Sequence, residues 1–310
     1  MARFNKISAV LKQNIKARCQ ATEKSKEQYI SVVDRFGAWV EQREGTQRVN
    51  PDRYHELIQT YINERTRTVS AQTVNKDLAS LVNGTREHKQ DYIHPKRNEA
   101  PTKGRQAHGI TKEGKPTAAG IRLYNLAKYI GIREREYLQL RGRDIKTDKH
   151  GLTYVYVTKG KGGKSTWQLV SPAHAKEVQQ AFKAVQPDSF VFTKQEVRAN
   201  DHSNLHGLRR EHAREVYKWF MEQPRTVKDS LMNEVRQRFA ENPKKAERNE
   251  WQRVADRIRN SPVIMCRGHN ATTLKAQGRS TEFDREAVIF TSVVALSHFR
   301  EDVTVSNYLV

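Results

Sequence analysis

The sequence predicts a mainly α-helical protein with one small β-sheet, built as two domains. Three observations carry that prediction. Apolar residues recur at the helical period along most of the chain. One stretch alternates at the strand period around a glycine-rich turn, and a basic segment bearing prolines and glycines interrupts the periodicity.

The elements follow in order. Tyr29, Val32, Val33, Phe36 and Trp39 form one helical stripe, and Tyr54, Leu57, Ile58, Tyr61 and Ile62 form a second. A third runs through Val74, Leu78, Leu81 and Val82, with Ser70 as its N-cap. Residues 1–93 therefore read as a small all-helical unit. From His94 to Pro116 there are three prolines and three glycines, with Lys96, Arg97, Lys103, Arg105, Lys112 and Lys115 against Glu99 and Glu113. This is a basic linker, 94–116, that reads equally as a solvated loop or as a strap along a phosphate backbone. The second domain, 117–310, resumes with a stripe at Ile121, Tyr124, Ala127 and Ile130. Leu152–Thr158 and Thr166–Val170 then read as a β-hairpin whose tip carries Lys159–Lys164, KGKGGK, and Phe190–Phe192 reads as a further extended run. Helical stripes return at Val178–Val185, at Leu205, Leu208, His212, Val216 and Phe220, and at Trp251, Val254, Ala255 and Ile258.

Composition narrows the function. The 310 residues carry 56 Lys+Arg against 35 Asp+Glu, a formal net charge of +21, and no apolar run is long enough for a membrane span. Such an excess is most simply matched by a polyanion, because neutralising phosphates releases counterions. Met1–Gln20 has five basic residues and no apolar core of a signal peptide, and Cys19 and Cys266 lie too far apart to suggest a disulfide framework or a zinc site. A cytoplasmic, nucleoid-associated protein without metal is the expectation.

Four short stretches could carry chemistry: GIREREYLQLRGRDI at 131–145, TKGKGGK at 158–164, HGLRRE at 206–211 and ALSHFREDVTVSNYLV at 295–310. Singly each has an ordinary reading. Arg133 could be a surface arginine, Lys161 turn chemistry, His206 and Arg209 two residues on a solvated helix face, and Tyr308 a docking aromatic.

Their order changes this. An arginine, a lysine on a β-turn, His-x-x-Arg, and a histidine ten residues before a tyrosine resemble the tyrosine recombinase (phage integrase) family. Gly131, Ile132, Arg133 and Glu136, followed by Leu140, Asp144 and Ile145, look like that family's first arginine box. HGLRR looks like its His-x-Leu-Arg box, and the last stretch like its His-to-Tyr segment. The resemblance implies a helical core-binding domain plus an α+β catalytic domain that together clamp a duplex.

It also implies the roles. Tyr308 would be the nucleophile forming a 3′-phosphotyrosine. A phenol has a reference pKa of about 10 and needs a base to take its proton. Arg133 and Arg209 would hold the non-bridging oxygens, for which planar guanidinium forks are suited, and His298 would add a donor. Lys161 would protonate the departing 5′ oxygen, with Lys159 and Lys164 as alternatives. His206 would act as general base or orienting donor, and Glu136 would buttress the first box. The family's chemistry implies no metal or other cofactor. It implies double-stranded DNA as partner, a tetramer on DNA and an accessory DNA-bending protein, with no membrane. A type IB topoisomerase and a non-catalytic DNA-binding regulator are the alternatives.

Two features depart from the family. Arg209 and His298 are 89 positions apart rather than a few tens, which implies an insert at about 225–285. Arg225–Asn260, with ten basic and six acidic residues, reads as an added solvated helical pair more readily than as a contact surface. The glycine expected before the histidine is Ser297, a mild change for a helical first turn. Only Leu309 and Val310 follow the tyrosine, which leaves cleavage in cis or in trans open.

Overall fold

A computed structural model describes residues 4–85, 87–95, 116–160, 165–200 and 203–310. Lys96, Arg97, Lys103, Arg105, Lys161 and Lys164 lie outside the described residues. The chain divides into two units, Met1–Ile110 and Thr111–Val310. Among the described residues no helix is long and apolar enough to cross a membrane.

The first unit is helical: α1 (Ile7–Arg18), α2 (Glu23–Glu44), α3 (Tyr54–Thr68) and α4 (Ala71–Val82). The expected stripes face one core, in which Val33, Phe36, Val40, Ile58, Ile62, Val74, Leu78 and Leu81 are fully buried. Ser70 caps α4 by accepting from the Thr73 N–H, as its position predicts. The buried Asp77 carboxylate on α4 pairs with Arg35 and Arg65, so its charge is compensated. Helix α1 has no counterpart among the stripes read from the sequence. Its buried apolar residues are Ile7, Leu11 and Ile15, a single i, i+4, i+8 line inside a basic segment.

The second unit opens with α5 (Ile121–Ile130), a 3-10 helix at Glu134–Gln139, and an antiparallel sheet of β1 (Ile145–Thr147), β2 (Thr153–Val157) and β3 (Thr166–Leu169) in the order β1-β2-β3. The β2–β3 hairpin stands where alternation places it, with Val157 opposite Thr166. Strand β1 is an addition, too short to show a period. Among the described residues the run at Phe190–Phe192 makes a single isolated bridge, between Arg141 and Phe190.

Helices α6 (Ala175–Lys183), α7 (Lys194–Arg198) and α8 (Leu205–Glu222) follow. Helix α8 is central, because Leu205, Leu208, His212, Val216 and Phe220 line one face that is buried along its whole length.

The insert is α9 (Arg225–Ala240), α10 (Pro243–Glu247), α11 (Glu250–Asn260), β4 (Val263–Met265), α12 (Gly268–Ala276) and β5 (Glu282–Asp284), leading into α13 (Arg285–Phe290). It is not a solvated helical pair. Leu231, Met232, Val235 and Phe239 of α9 and Val254 of α11 share a core with Val216 and Phe220 of α8 and with Ala287, Ile289 and Phe290 of α13. The charge-rich composition conceals this because only four residues of α9, Leu231, Met232, Val235 and Phe239, are buried. The β4–β5 pair makes a second small sheet that the periodicity does not announce. The chain closes with a π-helical turn at Thr291–Ala295, α14 (Glu301–Thr304) and a second π-helical turn at Val305–Leu309.

Candidate active site

The turn that carries Arg133 is built first. Helix α5 stops at Gly131, whose φ of +67° only glycine adopts at little cost. Two residues on, Arg133 precedes the 3-10 helix, and Glu136 reaches back. The Glu136 carboxylate accepts from the Arg133 backbone N–H and from its Nη1, both at 2.7 Å. Glu136 is 3% exposed, so a buried carboxylate fixes the guanidinium that stands beside it.

The second guanidinium comes from α8. Asn204 caps that helix by accepting from the Gly207 N–H, which sets His206 and Arg209 on the first turns. Arg209 is 1% exposed; its Nη2 donates to the Leu296 carbonyl at 2.8 Å and its Nη1 lies 3.9 Å from Glu136 Oε2. Glu136 thus sits between both arginines. Burial lowers the Arg209 pKa, and Tyr308 and Glu136 offset this in part. Its Nε and Nη1 have no hydrogen-bond partner among the described residues.

The last segment supplies the rest. His298 donates its backbone N–H to the Ser292 carbonyl, and Ser292 Oγ lies 3.3 Å from its Nδ1. That leaves His298 Nε2 buried and without a partner among the described residues. Tyr308, buried on the second π-helical turn, has its ring 5.6 Å from that of His298 and 5.5 Å from that of His206, with the Arg209 guanidinium carbon 5.9 Å from the ring centre.

The sequence-predicted residues therefore divide. Arg133, Glu136, His206, Arg209, His298 and Tyr308 come together around one point. Lys159 is exposed at the hairpin base, where its backbone N–H donates to Gln139 Oε1 at 2.9 Å. The other side of that base is tied as well, since Thr166 Oγ1 lies 3.1 Å from Ser297 Oγ. The hairpin thus emerges between the Arg133 turn and the His298 loop. Ser297 differs from expectation: it is not in a helical turn but at φ +53°, a left-handed position that favours glycine. Sequence reasoning missed the Leu296 carbonyl and Ser292, which aim Arg209 and His298. A backbone group leaves no residue signal, and a serine six positions before a histidine is commonplace.

Two imidazoles here titrate abnormally. His298 falls from the ordinary 6.5 to about 3 through burial, then Arg209, Arg133 and Arg300. His212, fully buried on α8, also falls from 6.5 to about 3, through burial and then Arg209. The unfolded chain binds more protons at these two groups between these values, so the stability they leave intact above about pH 6.5 is progressively eroded as pH falls toward 3. A melting-temperature series should decline across that window, and His212→Gln should flatten it. An equally steep decline in the variant would show that His212 contributes nothing to it.

No protein-family model and no curated protein matches the chain. Among solved structures, the chain is similar to XerH site-specific recombinase bound to palindromic difH substrate in a post-cleavage complex, at 13% identity and a TM-score of 0.32 over 68% of this chain and 83% of that one. It is also similar to XerA recombinase, at 13% identity and a TM-score of 0.21 over 71% and 86%.

Proposed function

We propose that the chain is a tyrosine recombinase, a site-specific DNA strand transferase that cleaves and rejoins strands through a 3′-phosphotyrosine. One observation carries the reading: a buried phenol lies beside the Arg209 guanidinium and two imidazoles, Glu136 links Arg209 to Arg133, and Arg209 and His298 hold buried donor nitrogens with no hydrogen-bond partner among the described residues. Donors fixed in advance with hydrogen-bonding capacity to spare suit a ligand with several acceptor oxygens, and a phosphodiester is such a ligand.

In this reading the Tyr308 oxygen attacks the scissile phosphorus and the bond to the 5′ oxygen breaks, so the strand end is stored as a phosphodiester that the 5′ hydroxyl can later attack in reverse. His206 takes the phenolic proton or orients the phosphate. Arg133 and Arg209 grip the non-bridging oxygens, where negative charge concentrates in the transition state. His298, neutral at pH 7, donates through Nε2. Lys161 protonates the leaving oxygen from the hairpin tip. The linker residues Lys96, Arg97, Lys103 and Arg105, with Lys159 and Lys164, contact DNA phosphates for position. Paired exchanges in a tetramer on specific sites, in the service of a mobile element, complete the proposal.

The test is a nicked duplex carrying the recombination site, on which cleavage traps the protein covalently. Tyr308→Phe is expected to abolish the adduct while duplex affinity stays within about threefold, since affinity is spread over many phosphates. An undiminished adduct would sink the assignment. Relaxation of any supercoiled plasmid without sequence preference would favour a topoisomerase, and binding with no adduct from the unaltered protein would favour a regulator.

A further inference from the structure

Tyr308 lies in a segment that cannot hold itself. Helix α14 has four residues and the π-helical turn after it five, far below the length at which a helix is stable alone. Its position is imposed by what surrounds it.

Three arginines hold its backbone: Arg210 Nε donates to the Asn307 carbonyl at 3.1 Å, Arg214 Nη2 to that of Val310 at 2.5 Å, and Arg279 to that of Leu309. These are charge-assisted bonds, the strong class. Leu309 is buried against Leu274 of α12 and Phe283 of β5. The front of the segment is held too, because Arg257 of α11 donates to Glu301 at 2.7 Å and Arg285 pairs with the same carboxylate. The insert is in turn fixed to α8, since Tyr217 Oη accepts from the Asp284 N–H at 2.9 Å. The insert therefore grips the nucleophile-bearing segment at both ends.

We propose that the insert is a dock that delivers Tyr308 to the site of its own chain, with Arg279 as the positioning residue for the nucleophile. This rests on the reading of the site as a tyrosine recombinase. Arg279 touches no reacting atom; it acts by fixing the carbonyl of the residue next to Tyr308.

Two measurements test the dock. Arg279→Ala is expected to slow single-turnover adduct formation at saturating nicked duplex by about tenfold or more, with duplex affinity unchanged, because a misplaced reactive group costs rate rather than binding. Arg279→Lys, which keeps a charged donor, should recover part of the rate and serves if the alanine variant does not fold. In the second measurement Arg133→Ala and Tyr308→Phe proteins are mixed on DNA. Delivery within one chain predicts no adduct, because neither chain holds both a complete phosphate grip and a phenol. An adduct from the mixture, or an Arg279→Ala protein that cleaves at the full rate, overturns the dock. Absence of any adduct from the unaltered protein would instead overturn the recombinase reading, so the two failures are distinguishable.

Discussion

An Arg209→Ala protein is expected to cleave a nicked duplex about 100- to 1,000-fold more slowly than the unaltered protein, the loss typical of removing one preorganised donor to transition-state charge. The effect should lie in the chemical step. Arg209 is almost fully buried, its Nη2 is tied to the Leu296 carbonyl, and its Nε and Nη1 make no hydrogen bond among the described residues, Nη1 lying 3.9 Å from Glu136 Oε2. Those two nitrogens are the part of the fork that an oxyanion would engage. Glu136 keeps its two bonds to Arg133 in the variant, so the first box should survive. Arg209→Met fills similar volume without charge and separates lost packing from lost electrostatics; both variants should fail alike. Arg209→Lys should recover little, because an ammonium cannot reproduce a planar fork. Single-turnover cleavage beside duplex binding decides the matter. Cleavage within about threefold of normal in all three variants would remove Arg209 from the chemistry, since a fixed donor to the transition state cannot be deleted so cheaply.

The residues that the structure gathers at the candidate site were legible because they are side chains whose types are rarely exchangeable. Arg133, His206, Arg209, His298 and Tyr308 stand out in the sequence in that order, and α8 is legible as well, because its buried row runs from Leu205 to Phe220, more than four turns. What stayed hidden has physical reasons. The Leu296 carbonyl that aims Arg209 belongs to a backbone group. Ser297 reads as an ordinary helix residue until its φ of +53° shows why a glycine suits that place. The insert reads as solvent-facing because lysine, arginine and glutamate outnumber the few residues, Leu231, Met232, Val235, Phe239 and Val254, that it contributes to this core. Short strands such as β1, β4 and β5, three residues each, are below the length at which alternation can be recognised.

The second large effect falls on stability. Gly131→Ala is expected to destabilise the second unit by about 3–5 kcal/mol, the sum of a left-handed backbone penalty and an overpacked core. A Cβ placed on Gly131 would lie 2.0 Å from His212 Cδ2 and 2.4 Å from its Cγ, with the glycine at φ +67°. Neither partner has room to yield. His212 is fully buried one turn beyond Arg209 on α8, and Gly131 ends α5 two residues before Arg133. The contact is therefore the point at which the two arginine-bearing elements are pressed together, and pushing it apart moves Arg133 away from Arg209. A loss of this size is a large part of a domain's usual margin of about 5–15 kcal/mol. It should appear as a lowered denaturant midpoint with an unchanged slope. The double change Gly131→Ala with His212→Ala tests the mechanism: removing the ring should relieve the clash and leave only the backbone penalty, so the two losses should not add. If they add fully, the close contact is not the cause of the destabilisation.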